Sequence, residues 1–196
     1  MPAAITHFLH AQRVLKEIEK DNPKFTVVRD AFLWGAQGPD FLYCHRFLPW
    51  QKSGSLKGYG SKLHRGKPSK LFAAMREYFE ASGQKEIVRS YLYGFLCHYS
   101  LDRTGHPFIR FESSILLEKE PDQNESILHT EIESILDVII LRYELGLLPV
   151  EFRLKKTVPK NDEVQAQIAD LYAFVLKRLY GLADSNVPLL QATSDC

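Results

Sequence analysis

LCHYSLDRTGHP, residues 96–107, sets two imidazoles and a carboxylate close together in one segment. The segment reads as the end of an amphipathic helix that begins near Gln84. On such a helix His98 and Asp102 are four residues apart and share a face. Tyr91 and Phe95 fall on the same face, which marks it as the buried side. A buried Asp on an apolar stripe is costly unless it is paired or holds a metal. Gly105 and Pro107 are expected to stop the helix, leaving His106 just past its end.

A second segment repeats the pattern. ESILHTEIESILD, residues 125–137, puts His129 and Glu133 four apart beside Ile132 and Leu136, with Glu131 turned away. Two helices that each offer a His and a carboxylate at this spacing suggest a metal site built between them.

The rest of the chain reads as helices. His7, Ala11, Val14 and Ile18 line one stripe of a first helix over about 4–20, so His7 faces inward. Asn22-Pro23 is a start signal for a second helix running to Gly35. From Ala36 to Lys67 the periodicity breaks: Gly-Pro-Asp at 38–40 is a turn, and Gly54, Gly58, Gly60 and Gly66 punctuate an irregular segment. Pro68 opens a helix ending at Ser82-Gly83. A short helix covers 108–117 after Pro107. Pro121-Asp122 starts the His129 helix, which ends at Gly146. Residues 147–160 read as irregular, and Asn161 caps a last helix that stops at Gly181. Residues 182–196 read as a loose tail. No strand pattern or repeat competes. The expectation is one all-α domain over residues 1–196, an irregular helical bundle.

Bulk numbers bound the function. The 196 residues are 45% apolar and 25% charged with a net charge of +1, as in a soluble globular protein. No global field argues for nucleic acid or a membrane surface. Cys44, Cys97 and Cys196 are an odd set with no CxxC spacing and read as free thiols in a reducing compartment. The start MPAAITHFLHAQRVLKE has neither a basic leader nor a long apolar core, and no run is long enough to span a bilayer. A cytoplasmic protein is expected. Locally the charge is uneven. No acidic residue occurs from Phe41 to Arg76, while Arg46, Lys52, Lys57, Lys62, Arg65, Lys67, Lys70 and Arg76 do. This is either a solvated basic loop or a lip that draws in a phosphate-bearing substrate, with Lys57, Lys62 and Arg65 as its contacts.

The candidate ligands are His7, Asp40, His64, His98, Asp102, His106, His129 and Glu133. Taken singly, an inward His is more often a hydrogen-bonded core residue than a ligand, and each four-residue pair is a short pattern. Two matched pairs together with inward His7 shift the balance toward metal. Imidazole and carboxylate suit zinc.

The order THF near the start, GPD, LH in a loop, HYSLDRTGH and then HTEIE resembles the zinc-dependent phospholipase C family, itself similar to the single-strand-specific nucleases of the P1 type. The resemblance runs from Pro2 to about Leu148. It implies a cluster of up to three zinc ions: one on Asp40, His64, His98 and Asp102, a second on His106, His129 and Glu133, and a third shared by Asp102 and His7. Two ions are expected to be held tightly and the third weakly or not at all. Secreted members complete the third site with the amine of an N-terminal tryptophan. Here removal of Met1 would leave Pro2, and the gap from Asp102 to His106 looks shorter than in those enzymes. Asp40, on a turn beside the cluster, is the candidate general base.

The function expected is therefore hydrolysis of a phosphodiester, a phospholipid cut between glycerol and phosphate. A nuclease or small-molecule phosphodiesterase on the same fold is the alternative, with nucleic acid not favoured as substrate. A helical protein that zinc merely ties together is the non-enzymatic alternative. An HD-type phosphohydrolase ranks low because no adjacent His-Asp pair occurs.

Overall fold

A computed structural model describes residues 4–48, 50–51 and 54–196. The Pro2 amine and Lys52 lie outside the described residues. Among those described the chain is all-α, with no strand. The helices are α1 (Ala4–Asp21), α2 (Arg29–Ala36), α3 (Phe41–Cys44), α4 (Lys57–Arg65), α5 (Pro68–Ala81), α6 (Lys85–Lys119), α7 (Glu125–Leu145), α8 (Asp162–Tyr180) and α9 (Asn186–Asp195). A 3₁₀ turn, Gly38–Asp40, leads into α3, and two more, Pro149–Glu151 and Leu154–Lys156, lie between α7 and α8.

α6 is the axis of the bundle. It stays helical for 35 residues, through Gly105 and Pro107. The expected stop is thus overruled, and His106 and the short helix expected over 108–117 both belong to α6. Pro107 removes one helical hydrogen bond, but Ile109 and Ser113 beyond it are buried, so packing carries the helix past the defect. α2 crosses α6 at backbone contact. A Cβ on Gly35 would lie 2.1 Å from the Tyr91 carbonyl oxygen, and one on Gly94 would lie 2.0 Å from that of Phe32. Only glycine permits this approach. It presses the segment after α2, which carries Asp40, against the His98 turn of α6.

The apolar residues form two adjoining groups. One gathers α5, α8 and α9 around Trp34, Phe41, Tyr91 and Tyr172. The other seats α1 on Phe32, Leu33, Leu141 and Phe152. Asn161 and Gly181 bound α8 as expected, the Asn161 side chain accepting from Val164 N–H at 3.2 Å and Gly181 adopting φ +70°. Gly146 closes α7 in the same left-handed conformation. At its other end α7 starts at Glu125, capped by Asn124, rather than at Pro121-Asp122.

Other expectations are corrected. Asn22-Pro23 starts no helix: the Asn22 side chain accepts from Lys24 N–H in a local turn, and α2 begins at Arg29. The intervening residues run extended, with Val28 N–H donating to Ser90 Oγ at 2.8 Å and Phe25 packed on Tyr93. The irregular segment 36–67 contains α4. The tail is not loose, since α9 buries Leu189 and Ala192 completely. Cys44 and Cys196 form a disulfide, leaving Cys97 as the free cysteine among the described residues. Cysteine usage therefore no longer argues for a reducing compartment. Cys97 is buried, which pushes its thiol up to about 11. No helix among the described residues is long and apolar enough to cross a membrane.

Candidate metal centre

The eight candidate ligands meet on one side of α6. His98, Asp102 and His106 come from successive turns of that helix, and His129 and Glu133 from one face of α7. α1 supplies His7, the 3₁₀ turn supplies Asp40, and the last turn of α4 supplies His64. Three groups have ligand atoms within 4.8 Å of one another: His7, Asp40 and His98; His64, His98 and Asp102; His106, His129 and Glu133.

Asp102 is the hub of the first cluster. One carboxylate oxygen lies 3.2 Å from His7 Nε2; the other lies 3.3 Å from His98 Nε2 and 3.7 Å from His64 Nε2. His64 Nε2 is also 3.1 Å from Asp40 Oδ1. The His7 and His98 rings stack at 4.4 Å. One turn along α6, Glu133 Oε1 lies 3.3 Å from His129 Nε2 and 3.5 Å from His106 Nε2. His7, Asp40, His98 and Glu133 are buried, whereas His64, His106 and His129 reach solvent and form the mouth.

Local devices hold these groups. Gly38 has φ +55°, and a Cβ there would lie 2.3 Å from the His98 ring. Tyr91 Oη donates to the Gly38 carbonyl at 3.2 Å and pairs with Tyr172 Oη at 2.8 Å, fixing the turn that carries Asp40. His64 Nδ1 lies 2.9 Å from the Gly60 carbonyl. A carbonyl only accepts, so Nδ1 carries the proton and Nε2 turns to the carboxylates. The start of α1 is tied down twice: Gln37 Nε2 donates to the Ala4 carbonyl at 3.1 Å, and Asp137 accepts from Ile5 and Thr6.

Electrostatics follow from burial and crowding. Burial alone would raise the Asp40 carboxyl, but His64, 3.1 Å away, and the His98 and His7 rings outweigh it and hold it below the carboxylate range. Asp102 follows the same balance, with His7 and His98 holding it far below. Burial and neighbouring His7 lower His98 despite the carboxylates beside it. His64 goes the other way: burial opposes its proton, yet Asp40 raises it to about 9. Glu133 raises His106.

The residues fit a metal. Both ring nitrogens of His98, Nδ1 of His7 and Oε2 of Glu133 are buried without a hydrogen-bond partner among the described residues. His98 Nε2 lies near Asp102 but out of line for a hydrogen bond. Buried polar atoms are normally satisfied, and unpartnered imidazole nitrogens among carboxylates form the donor set that zinc takes.

Of the basic residues expected at the lip, Lys57 is exposed at the start of α4. Lys62 points to the Tyr59 and Tyr180 rings, at 4.7 and 5.7 Å, rather than to the cluster. Burial raises the Tyr43 phenol, and the Arg65 charge offsets a small part of that rise. Sequence reasoning missed Asp137, although its spacing, one turn after Glu133 on the face that carries His129, is a readable signal. It also missed Tyr43, whose ring lies 6.0 Å from that of His64.

A family model described as zinc dependent phospholipase C matches residues 6–182. Comparison with curated proteins and with solved structures returns no match.

Proposed function

The chain belongs to the zinc-dependent phospholipase C family, and from that premise we propose that it is a phosphodiester hydrolase that cuts a phospholipid between glycerol and phosphate. The observation that carries this reading is His98: a buried imidazole with no hydrogen-bond partner at either nitrogen, set between Asp40, Asp102 and His7.

Asp40, His64, His98, Asp102 and His7 would hold one part of a zinc cluster, and His106, His129 and Glu133 the other. Bound zinc supplies Lewis acidity toward the phosphate and brings the pKa of a coordinated water from 15.7 to ~7. The chain's own groups do the rest. Asp40 is the proton acceptor, its carboxylate kept ionised by the rings around it and placed by the turn that Tyr91 fixes. Asp102 spans His7 on one oxygen and His64 and His98 on the other, so it sets the spacing of the first cluster. The Gly60 carbonyl fixes the His64 tautomer. The open side formed by His64, His106 and His129 admits the phosphodiester, while buried His7, His98 and Glu133 form the dry floor.

The test is product identity. Zinc-loaded protein is incubated with a short-chain phospholipid and the products are read by phosphorus resonance and mass. Diacylglycerol and a phosphorylated headgroup are expected. Phosphatidic acid, or no hydrolysis at full zinc occupancy, would overturn the reading.

A further inference from the structure

Beside the metal cluster the Tyr43 ring stands 6.0 Å from that of His64. The Tyr43 and Ser61 hydroxyls are 3.3 Å apart, the only hydrogen bond either hydroxyl makes among the described residues. That bond uses one O–H and leaves the other free to donate. Ser61 also lines an open depression with Gly58, Lys62, Arg65, Gly66 and Tyr180. The Lys62 ammonium is held at its far wall over the rings of Tyr59 and Tyr180, and Tyr180 Oη donates to the Lys62 carbonyl at 3.0 Å. Neither Lys62 nor Arg65 makes an ion pair among the described residues, and no carboxylate lines the depression.

Geometry separates this place from the scissile phosphate. His64 and Lys62 are two residues apart on α4, so their side chains diverge by roughly 160°. A single phosphate held at His64 therefore does not reach the Lys62 ammonium. Ser61, which belongs both to the Tyr43 pair and to the depression, links the two places. Cationic headgroups call for carboxylates or open aromatic faces. Here Lys62 already covers Tyr59 and Tyr180, and Arg65 lines the same depression.

We propose that Ser61, Lys62 and Arg65, with the Tyr43 hydroxyl, form a subsite for a second anionic group on the substrate's headgroup, a phosphomonoester being the chemistry that fits best. This rests on the phosphodiesterase reading and names the substrate class within it. The free O–H donates to the headgroup oxyanion, and the two cations contribute charge-assisted contacts.

The experiment uses full-length, zinc-loaded protein and two short-chain lipids, a phosphatidylinositol phosphate and a phosphatidylcholine. It also uses calorimetry with a soluble inositol bisphosphate and with inorganic phosphate. The phosphorylated lipid is expected to be cleaved with kcat/KM ~10-fold above the choline lipid, the size of one charge-assisted contact. Lys62→Gln with Arg65→Gln should erase that preference, chiefly through KM, and weaken bisphosphate binding at least ~10-fold more than inorganic phosphate binding. Ser61→Ala, which alters no charge, should reduce the preference in the same direction. Hydrolysis of both lipids without headgroup preference would overturn the subsite and leave the phospholipase reading standing. Hydrolysis of neither lipid, with bisphosphate binding still dependent on Lys62 and Arg65, would sustain the subsite for a soluble phosphorylated ligand and overturn the phospholipase reading. Equal weakening of both soluble anions would overturn the subsite.

Discussion

Asp137 on α7 grips the first turn of α1 at Thr6, from which its Oδ1 accepts both the backbone N–H at 2.7 Å and the hydroxyl at 2.6 Å. Its second oxygen takes the Ile5 N–H at 3.1 Å. This one carboxylate satisfies two of the orphan donors at a helix start and sets the residue before His7. Asp137→Ala should cost about 1–2 kcal/mol, the scale of a lost helix cap, and lower the zinc content at the His7 side of the cluster. Thermal melts and metal analysis check both. A variant with unchanged melting and unchanged zinc would remove Asp137 from the design of the site.

Asp102 does what no other ligand does, since it contacts three imidazoles. Asp102→Asn keeps the shape and removes the charge. Phosphodiester hydrolysis should fall by about 10²-fold, at the upper end of the losses seen when metal-site networks are disrupted, with reduced metal occupancy. Glu131→Gln is the matched control: Glu131 is exposed and points roughly 160° from His129 on the same helix. Damage from Glu131→Gln with a silent Asp102→Asn would reverse the assigned helix faces.

Zinc should be countable. Two ions per chain are expected to survive dialysis, with a weaker third on the His7 side. Since metal binds only the folded cluster, a chelator should lower the melting temperature clearly. Less than one equivalent of any transition metal in protein purified without additions would end the catalytic reading.

Zinc binding should also release protons. In the metal-free protein His64 titrates at about 9, so at pH 7 the ring is protonated and must give up that proton to become a ligand. Calorimetric titration in buffers of different ionisation enthalpy should show release of ~1 proton per chain from this group, with a further fraction from raised His106. Absence of buffer dependence would mean that His64 is neutral before metal arrives.

The same shifts fix the pH profile of the chelated protein. His64 is raised above its ordinary 6.5, so its stabilising contribution is complete below 6.5 and is lost as pH climbs toward 9. Asp40 and Asp102 are depressed below 3.8, so theirs is present above that value and is lost as pH falls below it. Buried His98 is lowered below its ordinary value, so it subtracts stability as pH falls below 6.5, and chelated protein should melt highest near pH 6.5 and lose stability as pH climbs toward 9. A melting temperature that rises steadily from 6.5 to 9 would contradict the His64–Asp40 pairing.

Much of the centre was legible because a spacing of four on a helix survives translation into space. His98 with Asp102 and His129 with Glu133 needed only the helical period. α4 escaped notice because KGYGSKLHR buries only Gly60 and Leu63; with so little apolar contact there is no stripe to read. α6 was cut short on paper because Gly105 and Pro107 are local stop signals, while the buried side chains that override them lie on both sides of the break. α9 was passed over for a related reason, its Pro188 lying in the first turn, where a proline is tolerated. The Cys44–Cys196 bond was not legible, because no spacing rule connects residues 152 positions apart.

A loop between two ligands absorbs a change of length, but a continuous helix does not. Asp102 and His106 sit on unbroken α6, so one residue added between them would turn everything downstream by about 100°. His106 would swing away from Glu133 while His98 and Asp102 kept their places. The two halves of the centre are geared together like teeth on one shaft: whatever bends α6 moves both, and sequence drift between them is confined to exchange of side chains at a constant count.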